Sequence, residues 1–135
     1  MLRRTLLSLL VSSLLLGCSD AAGPGPGVAG TWRLQTVNGL ALPFTLSQSG
    51  MDKEELTGEV ITLVAPRSLT IVTTFRVTEG SNVFSESIPD EGTYAVDGST
   101  VTFTWDSDGS TSTATVSGNT MTLQDIGLTF VYRRD

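Results

Sequence analysis

The side chains that most often carry covalent or acid–base chemistry are nearly absent from this sequence. None of its 135 residues is histidine and only one, Cys18, is cysteine. A lone cysteine cannot form a disulfide within the chain, and histidine is the side chain that most readily exchanges a proton near neutral pH. These absences exclude most catalytic arrangements, so we predict a protein that is not an enzyme and has no cofactor.

One carboxylate, Glu86, is predicted to face the interior of the fold. A chain reversal at Glu79-Gly80 places Glu86 opposite Thr73, and the next reversal brings it to Tyr94, with Phe84 on the same face. A buried carboxylate has to be hydrogen-bonded or protonated, so such a group could hold the polar head of a ligand. The alternatives are that Glu86 stands in water at the mouth of the fold or points outward.

The other acidic residues do not indicate a metal site. Asp106-Ser107-Asp108-Gly109 has the spacing that begins a calcium loop, but the twelfth position is Ser117 rather than a bidentate glutamate. The acidic group at positions 52–59 is most simply a solvated loop. We therefore predict no metal ion and no hydrolase built on a pair of carboxylates.

The elements that must position these residues are strands, because the sequence is rich in Thr, Val, Ser and Gly and alternates with period two. Folding about successive turns keeps the apolar residues on one face, for example Tyr94 opposite Val101. A shift of one residue would mix the two faces, so this agreement indicates an antiparallel meander. The turns are predicted at Asp97-Gly98, Asp108-Gly109, Gly118-Asn119 and Gln124–Gly127.

Further strands are expected upstream, at 32–37, 59–65 and 67–78, whereas 47–58 is expected to be a loop or one or two helical turns. The total is eight to ten strands. An open meander leaves two unpaired edges, and closure into a barrel removes them. We therefore predict an all-β, up-and-down barrel of 8–10 strands. The alternative is an immunoglobulin-like sandwich, which usually needs longer connections.

The N-terminus carries a targeting pattern. Arg3 and Arg4 precede an apolar run, residues 5–16, that is too short to span a bilayer. The segment ends in Leu15-Leu16-Gly17-Cys18 and resembles the lipobox of bacterial lipoproteins. This resemblance implies a signal peptide at 1–17, cleavage before Cys18, and lipid on that cysteine, including an acyl chain such as palmitate. The alternative is a buried apolar helix with an incidental cysteine.

The resemblance also implies a location in the cell envelope. Ser19, rather than aspartate, follows the cysteine, which favours the periplasmic face of the outer membrane. Residues 18–29, with alternating Gly and Pro at 23–27, are predicted to be a tether. The domain at 30–135 would follow it. Without the leader, six basic residues face fourteen acidic ones, which argues against nucleic acid as a partner and against electrostatic binding to an anionic lipid surface.

A second resemblance concerns the domain itself. Gly30-Thr31-Trp32 looks like the Gly-x-Trp signature of lipocalins, and Arg133 and Arg134 stand where lipocalins carry an arginine over that tryptophan. The chain over residues 28–135 is similar to bacterial lipocalin-like lipoprotein domains. The resemblance implies a barrel that binds a small hydrophobic ligand. Trp32 with Arg133 or Arg134 would then close the barrel, as a structural contact.

Two functions follow from these expectations. The first is a membrane-anchored module that binds a small hydrophobic ligand inside the barrel. The second is a structural domain with a filled core, which acts through its outer surface on an envelope protein. The predicted inward side chains are large enough to fill an eight-stranded interior. An apolar cavity of about 300 Å³ or more with a mouth would favour the ligand-binding module.

Overall fold

The computed structural model describes residues 27–135, all of them in strands and short connections. The predicted signal peptide at 1–17, the predicted lipidation site Cys18 and most of the predicted tether lie outside the described residues. The strands are β1 (Gly30–Val37), β2 (Leu40–Ala41), β3 (Phe44–Ser49), β4 (Asp52–Val64), β5 (Ser68–Glu79), β6 (Asn82–Asp97), β7 (Thr100–Trp105), β8 (Thr111–Ser117), β9 (Thr120–Asp125) and β10 (Leu128–Arg134).

The sheet closes on itself. Strands β4 to β10 pair antiparallel in chain order, and β1 lies between β10 and β4, hydrogen-bonded to both. The result is an eight-stranded, antiparallel, up-and-down barrel with β2 and β3 added outside the closed ring. The predicted all-β barrel of 8–10 strands is confirmed.

Because neighbouring strands run in opposite directions, successive turns fall at alternate ends of the barrel. The end that holds Gly27, the turns β4–β5, β6–β7 and β8–β9, and the end of β10 is called the proximal end here. The opposite end is the distal end. Beyond it, β3 and the long strands β4, β5 and β6 continue as a sheet, formed by 44–56 and 75–86 and called the distal extension.

Four of the predicted reversals differ from the observed register by two residues. Tyr94 pairs with Phe103 rather than Val101, since the β6–β7 turn is centred on Gly98-Ser99 instead of Asp97-Gly98. The β5–β6, β7–β8 and β9–β10 pairings shift by the same amount, whereas the turn at Gly118-Asn119 lies where it was predicted. A shift of two residues leaves every side chain on its predicted face.

The expectation for residues 47–58 was wrong, because they form strands rather than a loop or helical turns. Strands β3 and β4 meet at the Gly50-Met51 turn, where Ser49 pairs with Asp52. Gly50 has a φ of 61°, which suits the first central position of a tight hairpin turn. The polar composition that indicated a loop reflects the exposed distal extension to which these residues belong.

The hydrophobic core lies within the closed ring. Inward residues at alternate positions of β1, β4, β7, β9 and β10 are fully buried, among them Trp32, Ile61, Phe103, Met121 and Tyr132. Val28, which precedes β1, is buried as well and belongs to this core. Residues 27–135 contain no helix that is long and apolar enough to cross a bilayer.

Candidate functional site

Large side chains fill the middle of the barrel and leave a cavity at each end. Trp32, Phe103 and Tyr132 have no measurable solvent exposure and lie in this filled layer. The cavity at the proximal end has a volume of 790 Å³. The cavity at the distal end has a volume of 310 Å³. Both lie in the size range of small-molecule sites, about 300–1,000 Å³.

The proximal cavity has a mostly apolar wall. Strands β6 and β8 supply valines from one side, and the segment that leads into β1 supplies the opposite side. The main wall residues are Val28, Pro66, Tyr94, Val96, Val116 and Arg134. Val96 is 44% exposed at the rim, whereas Tyr94 lies deeper and is buried. The combination of apolar walls and a few polar groups is the usual composition of a site for a small hydrophobic molecule.

Trp32, a member of the filled layer, contacts two residues that line the proximal cavity, Val28 and Arg134. Its indole nitrogen donates a hydrogen bond of 2.8 Å to the Val28 carbonyl, which draws the N-terminal segment across the end of the barrel. The guanidinium carbon of Arg134 lies 4.5 Å from the centre of a Trp32 ring. Arg133 is the next residue along β10, so its side chain points to the opposite face and is exposed. Of the two arginines considered for barrel closure, Arg134 stacks on the tryptophan.

The distal cavity is more polar than the proximal one. Ile71, Phe75, Ile88 and Trp105 form its apolar part, and carboxylates of Asp90, Asp108 and Asp125 stand around it. Two of these carboxylates are engaged locally: Asp90 accepts a hydrogen bond from the Ser107 hydroxyl, and Asp108 accepts one from the Ser110 amide. Hydrogen bonds from Ser110 hold the pKa of Asp108 below its usual range.

A half-buried carboxylate, Glu59, lies beside the distal cavity. It accepts a hydrogen bond of 2.7 Å from the hydroxyl of Thr73, a residue of the cavity wall, and a second one from the phenol of Tyr132. Burial raises the pKa of Glu59, although both hydrogen bonds act in the opposite direction. Burial and the neighbouring Glu59 carboxylate raise the pKa of Tyr132 well above its usual value. Glu59, Thr73 and Tyr132 thus form a polar cluster beside the distal cavity, in which both hydroxyls donate hydrogen bonds to the carboxylate.

The structure does not bring the predicted ligand-facing residues together. Residues 82–97 form one continuous strand, so Glu86 and Tyr94 lie eight positions apart on β6 instead of facing each other across a hairpin. Glu86 and Phe84 are exposed on the distal extension, and Glu86 pairs with Phe75 rather than Thr73. The predicted reversal at 89–91 is wrong because Pro89 pairs with Val72 within the sheet and does not break the strand. Tyr94 instead lines the proximal cavity.

Thr73 instead belongs to a different cluster of a carboxylate, a phenol and a hydroxyl, with Glu59 and Tyr132 in place of the predicted Glu86 and Tyr94. Sequence reasoning assigned Glu59 to a solvated acidic group, because its strand is apolar on both faces and its register was undetermined. Trp32 is the residue from which the inward position of Glu59 can be deduced. Closure pairs Trp32 with Ile61, which turns Ile61 inward and therefore also Glu59, two positions away.

A second member of that acidic group, Glu55, is also not a solvated residue. Its side chain is 5% exposed and forms ion pairs of 2.7 Å with Lys53 and with Arg76. The hydrogen bonds from Lys53 and Arg76 lower the pKa of Glu55. This cluster lies on the distal extension, away from both cavities. Among residues 27–135 no set of three potential metal ligands lies close enough to hold an ion.

Comparison with known proteins agrees with this geometry. No curated protein matches the chain. The family model of the lipocalin-like domain matches residues 28–123, which spans β1 to most of β9 and begins at the buried Val28. The match covers more than half of the chain and includes the Gly30-Thr31-Trp32 start of the barrel, whereas β10, the strand that pairs with β1, lies beyond it. The chain therefore belongs to the lipocalin-like domain family.

Proposed function

We propose that this domain binds a small hydrophobic molecule in its proximal cavity and is held at an envelope membrane through lipid on Cys18. The observation that carries the binding proposal is the mostly apolar cavity of 790 Å³ at the proximal end. Burying an apolar ligand there removes its surface from water, which stabilises the complex by about 25 cal/mol per Å² before the costs of association.

The absence of histidine from the sequence supports binding rather than catalysis. Glu59 also supports it, because a general base has to lie within hydrogen-bond reach of the substrate proton, whereas Glu59 lines neither cavity. We therefore propose no reaction for this domain.

The filled middle layer supports a second candidate, a structural or interaction domain that acts through its outer surface on an envelope protein. Trp32, Phe103 and Tyr132 leave no continuous channel between the two cavities. A ligand would therefore have to fit within one end of the barrel. The two candidates differ in whether a bound molecule occupies that end.

A naphthylamine probe that fluoresces in apolar surroundings distinguishes them. We expect the protein to bind N-phenyl-1-naphthylamine and Val96→Trp to weaken that binding about tenfold or more, since the indole occupies part of the proximal cavity. Tenfold corresponds to about 1.4 kcal/mol. Binding is measured by fluorescence titration, with circular dichroism to confirm that each variant is folded.

Two matched variants control this experiment. Val72→Trp introduces the same side chain at a position of β5 that is 42% exposed and lines neither cavity, so it should leave probe binding unchanged. Ile88→Trp tests the distal cavity, because Ile88 is 47% exposed and lines its wall. Wild-type protein that does not bind the probe, or binding that only Ile88→Trp weakens, would refute the proposed site.

The membrane anchor is tested separately, in a bacterium that processes lipoproteins. We expect the full chain to incorporate a labelled palmitate and to fractionate with the outer membrane. Cys18→Ala should abolish the labelling and release the protein, because it removes the only thiol in the sequence. Continued labelling of the alanine variant would refute the anchor and would leave the binding proposal unaffected.

A further inference from the structure

Charge is distributed unevenly along the barrel axis. The proximal end carries Arg33, Arg67, Arg133 and Arg134 against Asp97 and Asp135, a net side-chain charge of +2. The rest of residues 27–135 carries eleven carboxylates against Lys53 and Arg76, a net charge of −9. The proximal end is therefore basic, although the chain as a whole is acidic.

Two of the proximal arginines are available to a partner. Arg67 is exposed in the β4–β5 turn, and Arg133 is exposed on the outer face of β10. Neither forms an ion pair with a carboxylate of residues 27–135. Arg33, by contrast, is paired with Asp135 at 2.8 Å, and Arg134 stacks on Trp32.

The same end exposes two apolar side chains. Val64 is 55% exposed on the outer face of β4 beside the β4–β5 turn, and Val96 stands at the rim of the proximal cavity next to the β6–β7 turn. Cationic side chains that surround exposed apolar ones are the composition that binds the interface of an anionic bilayer. The twenty-six preceding residues also join the domain at this end, at Gly27.

Screening by salt determines whether the negative charge of the rest of the domain outweighs the attraction between the proximal arginines and an anionic surface. The Debye length is about 8 Å at physiological ionic strength. A strand of eight residues such as β1 spans about 26 Å at 3.3 Å per residue. A surface in contact with the proximal end is thus screened from the carboxylates at the distal end and interacts mainly with the arginines.

We propose that the proximal end is a docking surface for an anionic lipid bilayer, which seats the barrel with the mouth of its proximal cavity against the membrane. The orientation follows from the charge separation, since the distal end is repelled by the same surface. The proposal does not depend on whether the cavity holds a ligand, because the exposed arginines and valines make the contact.

The test compares two matched turns of the full chain bound to vesicles. Gly98-Ser99 at the proximal end and Gly80-Ser81 at the distal extension are both two-residue turns with an exposed serine. A fluorescent amino acid replaces Ser99 in one protein and Ser81 in another. Vesicles of phosphatidylcholine with 30% phosphatidylglycerol, carrying brominated acyl chains as quenchers, are floated so that only bound protein is measured.

We expect bromine to quench the label at position 99 and not the label at position 81. The quenching should fall when phosphatidylglycerol is omitted or NaCl is raised to 0.5 M. Arg67→Gln combined with Arg133→Gln should lower the ratio of docked to undocked protein about 30-fold, which corresponds to about 1 kcal/mol for each arginine near an anionic surface.

A matched pair of substitutions removes the same charge elsewhere. Lys53→Gln with Arg76→Gln eliminates two cations of the distal extension and should leave the quenching at position 99 unchanged. Circular dichroism confirms that this variant is folded, since Glu55 loses both of its ion-pair partners. Equal quenching of both labels, or quenching that is the same without phosphatidylglycerol, would overturn the proposal. Either result is independent of the naphthylamine titration, which is made without lipid.

Discussion

At the scale of single residues, Trp32 is held from two directions at the proximal end. Its nitrogen donates to the Val28 carbonyl, and Arg134 covers its ring. A cation over an indole contributes about 0.5–2 kcal/mol, more when it is desolvated. The Nε atom of Arg134 is buried without a hydrogen-bond partner among residues 27–135, which offsets part of that gain.

We therefore expect Arg134→Gln to lower the free energy of unfolding by about 1 kcal/mol. Arg133→Gln is the matched control, since it removes the same charge from the neighbouring, exposed position and should change stability by less than about 0.5 kcal/mol. Urea denaturation of both variants measures the difference. Equal effects would show that charge, rather than stacking on Trp32, accounts for the contribution.

Glu59 makes stability depend on pH in a direction opposite to that of most carboxylates. Burial raises its pKa in the folded chain, so the folded state binds the proton more tightly than the unfolded state does. Its contribution is complete in acid. It declines as the pH rises from about 4 through the raised pKa and is constant above it.

Glu59→Gln should remove this decline. The unfolding free energy of wild type minus that of the variant should therefore decrease as the pH rises from 4 to 7. Urea denaturation at each pH measures it. Taking the difference cancels Glu55, whose lowered pKa acts in the opposite direction. Parallel pH profiles for the two proteins would contradict the assignment.

At the scale of strands and turns, one glycine fixes the approach of two strands. Gly92 of β6 faces the end of β7, and a β-carbon built there would lie 2.1 Å from the carbonyl oxygen of Thr104. No flexible side chain can move away to relieve that contact, because the atom belongs to the backbone. The strands would have to separate where the barrel wall continues into the distal extension.

Gly92→Ala should therefore destabilise the fold by about 3 kcal/mol, at the upper end of the cost of overpacking. Gly58→Ala is the control: its added carbon has no neighbour within 4 Å, so we expect no loss and up to about 0.5 kcal/mol of gain from a less flexible unfolded chain. Thermal denaturation of both variants distinguishes the two outcomes. Similar melting temperatures would contradict the backbone contact.

The turns also show how much of the fold could be predicted from the sequence. Alternation identified the inward face of β7 to β10 correctly, because side chains alternate with period two and the errors in pairing were all of two residues. At two hairpins Asp-Gly was interpreted as the centre of the turn. At Asp97 the glycine instead begins the turn, with a φ of 61° at Gly98, and Asp97 is the last residue of the strand.

The candidate site was less predictable than the fold for the same physical reason. To place residues of different strands beside one another, the pairing of those strands has to be predicted, and not only the face on which each residue lies. Glu86 and Tyr94 were placed together by a turn that does not exist, whereas Glu59 needed the non-local pairing of β1 with β4. The contact between Trp32 and Arg134 depends only on closure of the first and last strands, and those strands are indeed neighbours.

At the scale of the whole molecule, the described domain has two regions with different packing. The closed ring contains the buried core, whereas the first half of β6 is exposed along its length on the distal extension. Local opening costs least where few apolar side chains are buried. The distal extension should therefore open without unfolding the barrel.

Hydrogen exchange measures this difference directly. We expect amides of β9 and β10 to exchange only through global unfolding, and amides of 82–86 to exchange at least a hundredfold faster through local opening. Urea too dilute to unfold the protein should reduce the protection of the β9 and β10 amides more than that of the amides at 82–86. Uniform protection across both regions would show that the extension and the barrel unfold as a single unit.

The pairing of β1 with β10 has a consequence for the order of folding. Thr31 accepts a hydrogen bond from Asp135, and the adjacent Arg33 and Asp135 are 102 positions apart in the chain. The first strand therefore stays incomplete along one edge until the last strand has been synthesised. Topologies dominated by such distant contacts have high contact order and fold slowly. A nascent chain of this protein must remain open until its final strand is available, which is compatible with passage through a translocation channel in an unfolded state.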